Sequence, residues 1–181
     1  EDEVYGEDGD DEEDADGGDI QGGQYKEDGN DDDEEEFVEI VDPNALLTPE
    51  ERARRDADSR RLKTQFEQKQ KQRKYQDMLR RRAELPAYKM KDQVLQAIDQ
   101  HNVVVISGDT GCGKTTQVPQ LVLDAYLAAG RGGECNILVT QPRRISAMSV
   151  AERIAAERIE AIGQSTGYHI RLETKTGPQT R

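Results

Sequence analysis

The sequence predicts an α/β fold built on a parallel sheet, and three observations carry that prediction. Val103-Val104-Val105-Ile106 is a short β-branched run, followed by a glycine-rich turn and then by Val118, Leu121, Val122 and Ala125 at helical spacing over residues 115–129. A second apolar run, Asn136-Ile137-Leu138-Val139-Thr140, precedes a helical pattern over residues 146–162 in which Met148, Ala151, Ile154 and Ala155 share a face. Tyr168, Ile170 and Leu172 then alternate with His169, Arg171 and Glu173, the period of a third strand with one wetter face. Strands alternating with helices imply a parallel sheet whose ligands bind at the carboxyl ends of the strands.

Before this region the chain changes character twice. The 181 residues carry a net charge of -13, but residues 1–36 hold 20 Asp or Glu against Lys26 alone, a charge of -19 that leaves +6 for the rest. Rich in glycine and poor in large apolar side chains, the acidic stretch cannot bury enough surface to offset the entropy of ordering, so it reads as disordered. It is a solvating spacer, or an acidic arm that competes with nucleic acid for basic surface. Its Asp11-Glu12-Glu13-Asp14 run mimics an acidic metal motif, yet it lies upstream of the glycine turn with no hydrophobic strand before it, and is set aside as catalytic. Phe37-Val38-Glu39-Ile40-Val41 is an apolar island that docks on a partner or does nothing visible, and it names no partner. The divisions expected are an acidic tail at 1–47, a charged helix or linker at 48–84, and part of an α/β domain at 85–181.

Thr48-Pro49-Glu50-Glu51 has the form of a helix start, with Thr48 as cap, Pro49 at the first helical position and Glu51 closing a capping box. One long charged helix is expected from it. From Glu50 to Arg82 there are 13 bases and 6 acids, with Glu51 before Arg55, Asp56 before Arg60, Glu67 before Lys71 and Asp77 before Arg81 at the favourable i, i+4 spacing. Its apolar stripe is thin, comprising Ala53, Ala57, Leu62, Phe66, Tyr75, Met78 and Leu79. Two readings stand, a solvated linker helix and an RNA-contacting one. Pro86 restarts the chain, and Met90, Val94, Leu95 and Ile98 mark an amphipathic helix leading to the first strand. Pro119 predicts a bend in the helix that follows, Gly130 its stop, and Gly163 the stop of the next.

The stretch Gly108 to Gln117, GDTGCGKTTQ, has the spacing G-x-x-x-x-G-K-[ST]. Glycines at 108, 111 and 113 let the backbone wrap closely around an anion, so that the amides of Asp109, Thr110, Cys112 and Thr116 point inward. Lys114 is placed to bridge the β- and γ-phosphates of a nucleoside triphosphate, and the Thr115 hydroxyl to complete the shell of a magnesium ion. A strand before and a helix after are the context this motif requires, whereas a glycine-rich surface turn requires neither. Cys112 reads as a small packed side chain of the loop. With Cys135 it makes neither a disulfide framework nor a metal cluster, which favours an intracellular reducing compartment, cytoplasm or nucleus. Residue 1 is not Met, which leaves an organelle-targeting segment open. No run approaches the length of a membrane span. His101 and His169 stand without a ligand set and read as structural.

Three segments together, GDTGCGKTTQVPQ at 108–120, TQPRRISAMSVAERIAAE at 140–157 and STGYHIRLE at 165–173, closely resemble the DEAH-box RNA helicases. With LPAYKMKDQVL at 85–95 they look most like the subgroup of RNA helicase A and the quadruplex-resolving helicases. The resemblance covers residues 85–181. It implies the first of two RecA-like domains, a P-loop (Walker A) NTPase core that binds ATP and Mg2+ in one cleft while RNA, structured or quadruplex nucleic acid included, crosses another edge. By resemblance Thr140, Gln141, Pro142, Arg143 and Arg144 hold the RNA backbone, Arg143 as a charge-assisted donor and Arg144 either so or in support of the fold. Arg153 matches an arginine that stacks on adenine. The family usually has Glu where this chain has Asp109, a mild departure. The resemblance further implies a DEAH motif, a second RecA-like domain and accessory domains beyond Arg181, 3′ to 5′ movement by the whole, and no unwinding by residues 1–181 alone. Two alternatives remain: another P-loop ATPase, for which 140–144 is superfluous, and a non-catalytic nucleic-acid or partner-binding module, against which an intact Lys114 and Thr115 speak.

Overall fold

A computed structural model describes residues 46–181. The acidic tail, the Asp11-to-Asp14 run and the Phe37-to-Val41 island lie outside the described residues. What is described is dominated by helices, with a small two-stranded sheet, in the order α1 (Pro49–Gln70), α2 (Arg73–Ala83), α3 (Pro86–Lys89), α4 (Lys91–Gln100), α5 (Lys114–Ala128), α6 (Arg144–Glu157), β1 (Tyr168–Ile170) and β2 (Glu173–Lys175).

The start of α1 has the chemistry its sequence encodes. The Thr48 hydroxyl accepts from the Glu51 amide at 3.3 Å, and the Glu51 carboxylate accepts from the Thr48 amide at 2.9 Å, a reciprocal capping box that satisfies two orphan donors. The single long helix expected from 50 to 82 is instead two, broken at Lys71–Gln72, where Gln72 is extended (φ -76, ψ 128). In a continuous helix Phe66 and Tyr75, nine residues apart, would point about 180° apart. The break brings both into one core, where Leu62, Phe66 and Tyr75 meet Leu123 and Leu127 of α5 and Cys135. Asp77 pairs with Arg80 at i, i+3 rather than with Arg81.

Helix α5 is the centre of the packing, contacted by α1, α3, α4 and α6. It runs unbroken through Pro119 and stops at Gly130, whose φ of 74 lets Gly130 N and Arg131 N cap the carbonyls of Leu127 and Tyr126. The loop after it allows close approach to α1: Gly133 N donates to Ser59 Oγ at 2.9 Å, and a Cβ on Gly133 would lie 2.4 Å from the Arg55 carbonyl.

The parallel sheet is not formed among the described residues. Neither 103–106 nor 136–140 is hydrogen bonded as a strand, and the sheet that exists is the antiparallel pair β1 and β2, with Tyr168 opposite Lys175. A parallel strand is held only by strands on its flanks. Val103, Val105 and Leu138 stand 83%, 90% and 90% exposed, so both runs have the right residues but no paired strand among the described residues. The expected third strand stops early because the chain reverses at Arg171-Leu172. Tyr168 and Ile170 are buried against Ala151, but Leu172 takes a φ of 71 at the turn and faces water. Helix α6 also ends before its expected stop at Gly163. Ile159 takes the left-handed position (φ 54), and Glu160 N returns to the Ala155 carbonyl. The strain of a β-branched residue there is offset by ion pairs made on either side of it, by Arg158 and Glu160.

Candidate nucleotide site

The glycine turn folds into a compact loop at the start of α5. Gly111 and Gly113 have φ of 85 and 93, and Gly113 is the left-handed cap residue of the helix. Cys112 N donates to the Asp109 carbonyl at 3.3 Å, closing the turn. Helix α3 braces it from behind, with Ala87 N donating to the Cys112 carbonyl at 3.1 Å. A Cβ on Gly113 would lie 3.1 Å from Gln117 Cγ and 3.3 Å from Leu85 Cδ1, so this glycine is required by space as well as by φ.

Lys114 curls back into the loop. Its Nζ donates to the carbonyls of Gly108 at 2.6 Å and Asp109 at 2.9 Å, and lies 3.5 Å from Cys112 Sγ. An ammonium group held on main-chain carbonyls inside a glycine loop is positioned to exchange them for anionic oxygens, which bind it more strongly. Thr115 is exposed at the first turn, and the Thr116 hydroxyl donates to the Gly113 carbonyl at 3.3 Å. Gly108, Asp109, Thr110, Gly111, Cys112, Gly113, Lys114, Thr115 and Thr116 thus form one cluster.

Behind the loop lies a buried polar network that sequence reasoning missed. Gln117, fully buried, accepts from Arg82 Nε of α2 at 2.8 Å and donates to Glu157 Oε2 of α6 at 2.8 Å. Gln120 donates to the Thr116 carbonyl at 2.9 Å and to the same Glu157 oxygen at 2.8 Å. Glu157 Oε1 accepts from Arg153 Nε at 2.7 Å. Burial pushes the Glu157 carboxyl up, but the donors from Gln117, Arg153 and Gln120 outweigh it and hold the group below the usual carboxylate range. On the other side Asp124 bridges two buried arginines, accepting from Arg158 Nη1 at 2.6 Å and from Arg82 Nη2 at 3.4 Å. Arg158 Nε also donates to Ser165 Oγ at 2.9 Å, and Glu160 takes both Ser165 and Lys69 of α1. Burial raises the Glu160 carboxyl, and Arg158, Lys69 and Ser165 overcome it and hold it low. Burial, with the Asp124 carboxylate nearby, pushes the Tyr75 phenol up to about 12. The signal in the sequence was polar residues on the apolar phase of a helix: Gln117 and Gln120 precede Leu121, and Glu157 follows Ile154.

Residues 140–144 lead into the other end of α6. Thr140, Pro142, Arg143 and Arg144 are exposed and Gln141 half-buried. Arg143 is the cap residue in extended conformation without a side-chain capping bond, while Arg144 Nη2 donates to the Arg171 carbonyl at 3.2 Å and so supports the hairpin turn. Arg153 follows Arg144 by nine residues on the same helix, about 14 Å along its axis. Among the described residues no three His, Cys, Asp or Glu gather as a metal cluster, and no helix is long and apolar enough to cross a membrane.

A glycine loop with two left-handed glycines, capped onto a helix whose first residue is an inward-turned lysine, defines a phosphate-loop segment. Comparison with known proteins narrows that class. No family model matches the chain. It is 59% identical over 100 residues to the DExH-box ATP-dependent RNA helicase DExH1 of Arabidopsis thaliana, 55% of this chain and 10% of that protein. Against the ATP-dependent DNA/RNA helicase DHX36 of Homo sapiens it is 51% identical over 117 residues, 64% of this chain and 12% of that protein. Against the same-named protein of Bos taurus it is 57% identical over 104 residues, 56% of this chain and 10% of that protein. Over the aligned residues the chain is similar to DEAH-box (DExH) helicases, and it spans about a tenth of the length of the relatives it matches.

Proposed function

We propose that this chain supplies the phosphate-binding half of the ATP site in an ATP-dependent RNA helicase, within a first RecA-like domain. The observation that carries the reading is the seating of Lys114 on the Gly108 and Asp109 carbonyls, with the loop amides and the start of α5 around it. In this reading Lys114 transfers its ammonium from those carbonyls to the β- and γ-phosphate oxygens, and the Gly111 and Gly113 backbone fits close to them. The exposed Thr115 hydroxyl suits a magnesium ion, which neutralises phosphate charge once bound. Arg153 offers a planar face to the base, and Thr140 to Arg143 an exposed, positively charged edge to an RNA backbone. The strand-like composition of 103–106 and 136–140, with Val103, Val105 and Leu138 exposed, supports the RecA-like reading. The names of the relatives, ATP-dependent RNA or DNA/RNA helicases, support the activity and the nucleic-acid partner. The test is Lys114→Ala in the full-length protein. RNA-stimulated ATP turnover should be abolished while nucleotide-free RNA binding stays within about twofold, because phosphoryl transfer depends on charge placed at the phosphates. Turnover that survives would remove the phosphate assignment.

A further inference from the structure

We propose that Glu157 is a positioning residue: it sets the Arg153 guanidinium for the nucleotide base and, through Gln117 and Gln120, ties that arginine to the helix turn carrying Lys114 and Thr115. The inference rests on the nucleotide reading above and names what holds its base-facing group. Arg153 by itself is a surface side chain, 67% exposed, whose rotamer freedom would have to be given up each time a base docks. Glu157 removes that freedom beforehand. It holds Arg153 through Nε, and because an N–H bond lies in the guanidinium plane, this contact does not cover the planar face.

A helix-surface pair at i, i+4 needs no further support. Glu157 has a great deal of it. The residue is 2% exposed, and its second oxygen takes two glutamine donors from α5 at 2.8 Å each. Those glutamines are fixed in turn, Gln117 by Arg82 Nε and the Thr116 hydroxyl, Gln120 by the Thr116 carbonyl. Thr116 adjoins Thr115 and is two residues from Lys114, so the first turn of α5 and the Arg153 side chain share one carboxylate. A displacement of the loop-bearing turn is therefore felt at Arg153, and the phosphate and base ends of the site are set relative to each other.

The test uses the full-length protein and two probes, Mg-ATP and inorganic tripolyphosphate, titrated by calorimetry into wild type, Glu157→Gln, Arg153→Ala and the double variant. Tripolyphosphate samples the loop without the base. Glu157→Gln and Arg153→Ala should each weaken ATP about tenfold, leave tripolyphosphate within about twofold, and fail to multiply in the double variant. Equal losses for both probes in Glu157→Gln would make the residue merely structural, and unchanged ATP affinity or multiplying losses would equally overturn the proposal. Should Glu157→Gln not fold, Glu157→Asp keeps the charge, withdraws it from Arg153 by one methylene, and is held to the same outcomes. The underlying nucleotide reading fails in a different way, by wild type taking up neither probe or by Lys114→Ala binding both undiminished, and that result takes this proposal with it.

Discussion

Truncating Phe66 to Ala separates a docked helical arm from a solvated one. Phe66 is 6% exposed and packs with Leu62, Tyr75, Leu123, Leu127 and Cys135. Removing its ring deletes contacts on both α1 and α5, and Phe to Ala at such a site costs about 3–5 kcal/mol. The Ser59 bond to Gly133 and the Lys69 pair with Glu160 would still hold the arm in register, so little of the cavity closes by movement of α1. A spacer helix in water would lose no more than about 0.5 kcal/mol from the same change. The chain has no Trp, so urea unfolding is best followed by far-ultraviolet circular dichroism. With a urea slope of about 2 kcal/mol per molar, the midpoint should fall by about 1.5–2.5 M. Gln68→Ala, exposed on the same helix, is the control and should leave the midpoint within about 0.25 M. A Phe66→Ala shift no larger than the control would refute the docking.

Arg82→Ala should be as costly, about 3–5 kcal/mol by the same unfolding assay, because it strands Gln117 Oε1 and withdraws a cation from Asp124 inside the protein. Arg82→Met, which refills the volume but not the bonds, should recover only part of that. Glu157 and Glu160 both titrate below the ordinary range when folded, so the unfolded chain binds protons that the folded one refuses. Their stabilisation is therefore complete above about pH 4.3, where an unfolded glutamate titrates, and is lost as pH falls through the lower folded values. Urea midpoints measured downward from about pH 6 should show this, and Glu157→Gln should flatten the dependence. Gly113→Ala should destabilise by about 1–3 kcal/mol, and by more than Gly111→Ala, since both carry positive φ but only Gly113 would meet Gln117 and Leu85.

How far the sequence could be read followed the range of the interactions. The Thr48 cap, the Gly130 stop and the glycine loop are local, each decided within a few residues, and each forms where its residues place it. The 103–106 and 136–140 runs were recognisable as strand-like by composition, but a strand exists only when another pairs with it, and that is decided at long range. The break at Gln72 was invisible because nothing in KQKQRK interrupts a helix. It follows from the need to turn Tyr75 towards the same core as Phe66. Helix α6 ended without glycine because Arg158 and Glu160 both had partners to reach, Asp124 and Ser165 for one, Lys69 for the other.

The same network changes how the charge of the arm must be understood. Counted along the sequence, the 13 bases between Glu50 and Arg82 form one electrostatic population, a face for water or for phosphate. In the folded chain they do not. Arg82 is 1% exposed and Lys69 largely withdrawn, its ammonium pKa lowered by burial despite Glu160, whereas Arg54, Arg60, Lys74 and Arg81 face solvent. The exposed set is free to release counterions against a polyanion. The buried set is already committed to Gln117, Asp124 and Glu160 and contributes nothing to such a contact. Removing the whole arm would therefore conflate two losses, an electrostatic surface and the support beneath the helix that bears Lys114. Only neutralising the exposed bases one by one isolates the first, because Arg82 then continues to hold Gln117, and through it Glu157, in place.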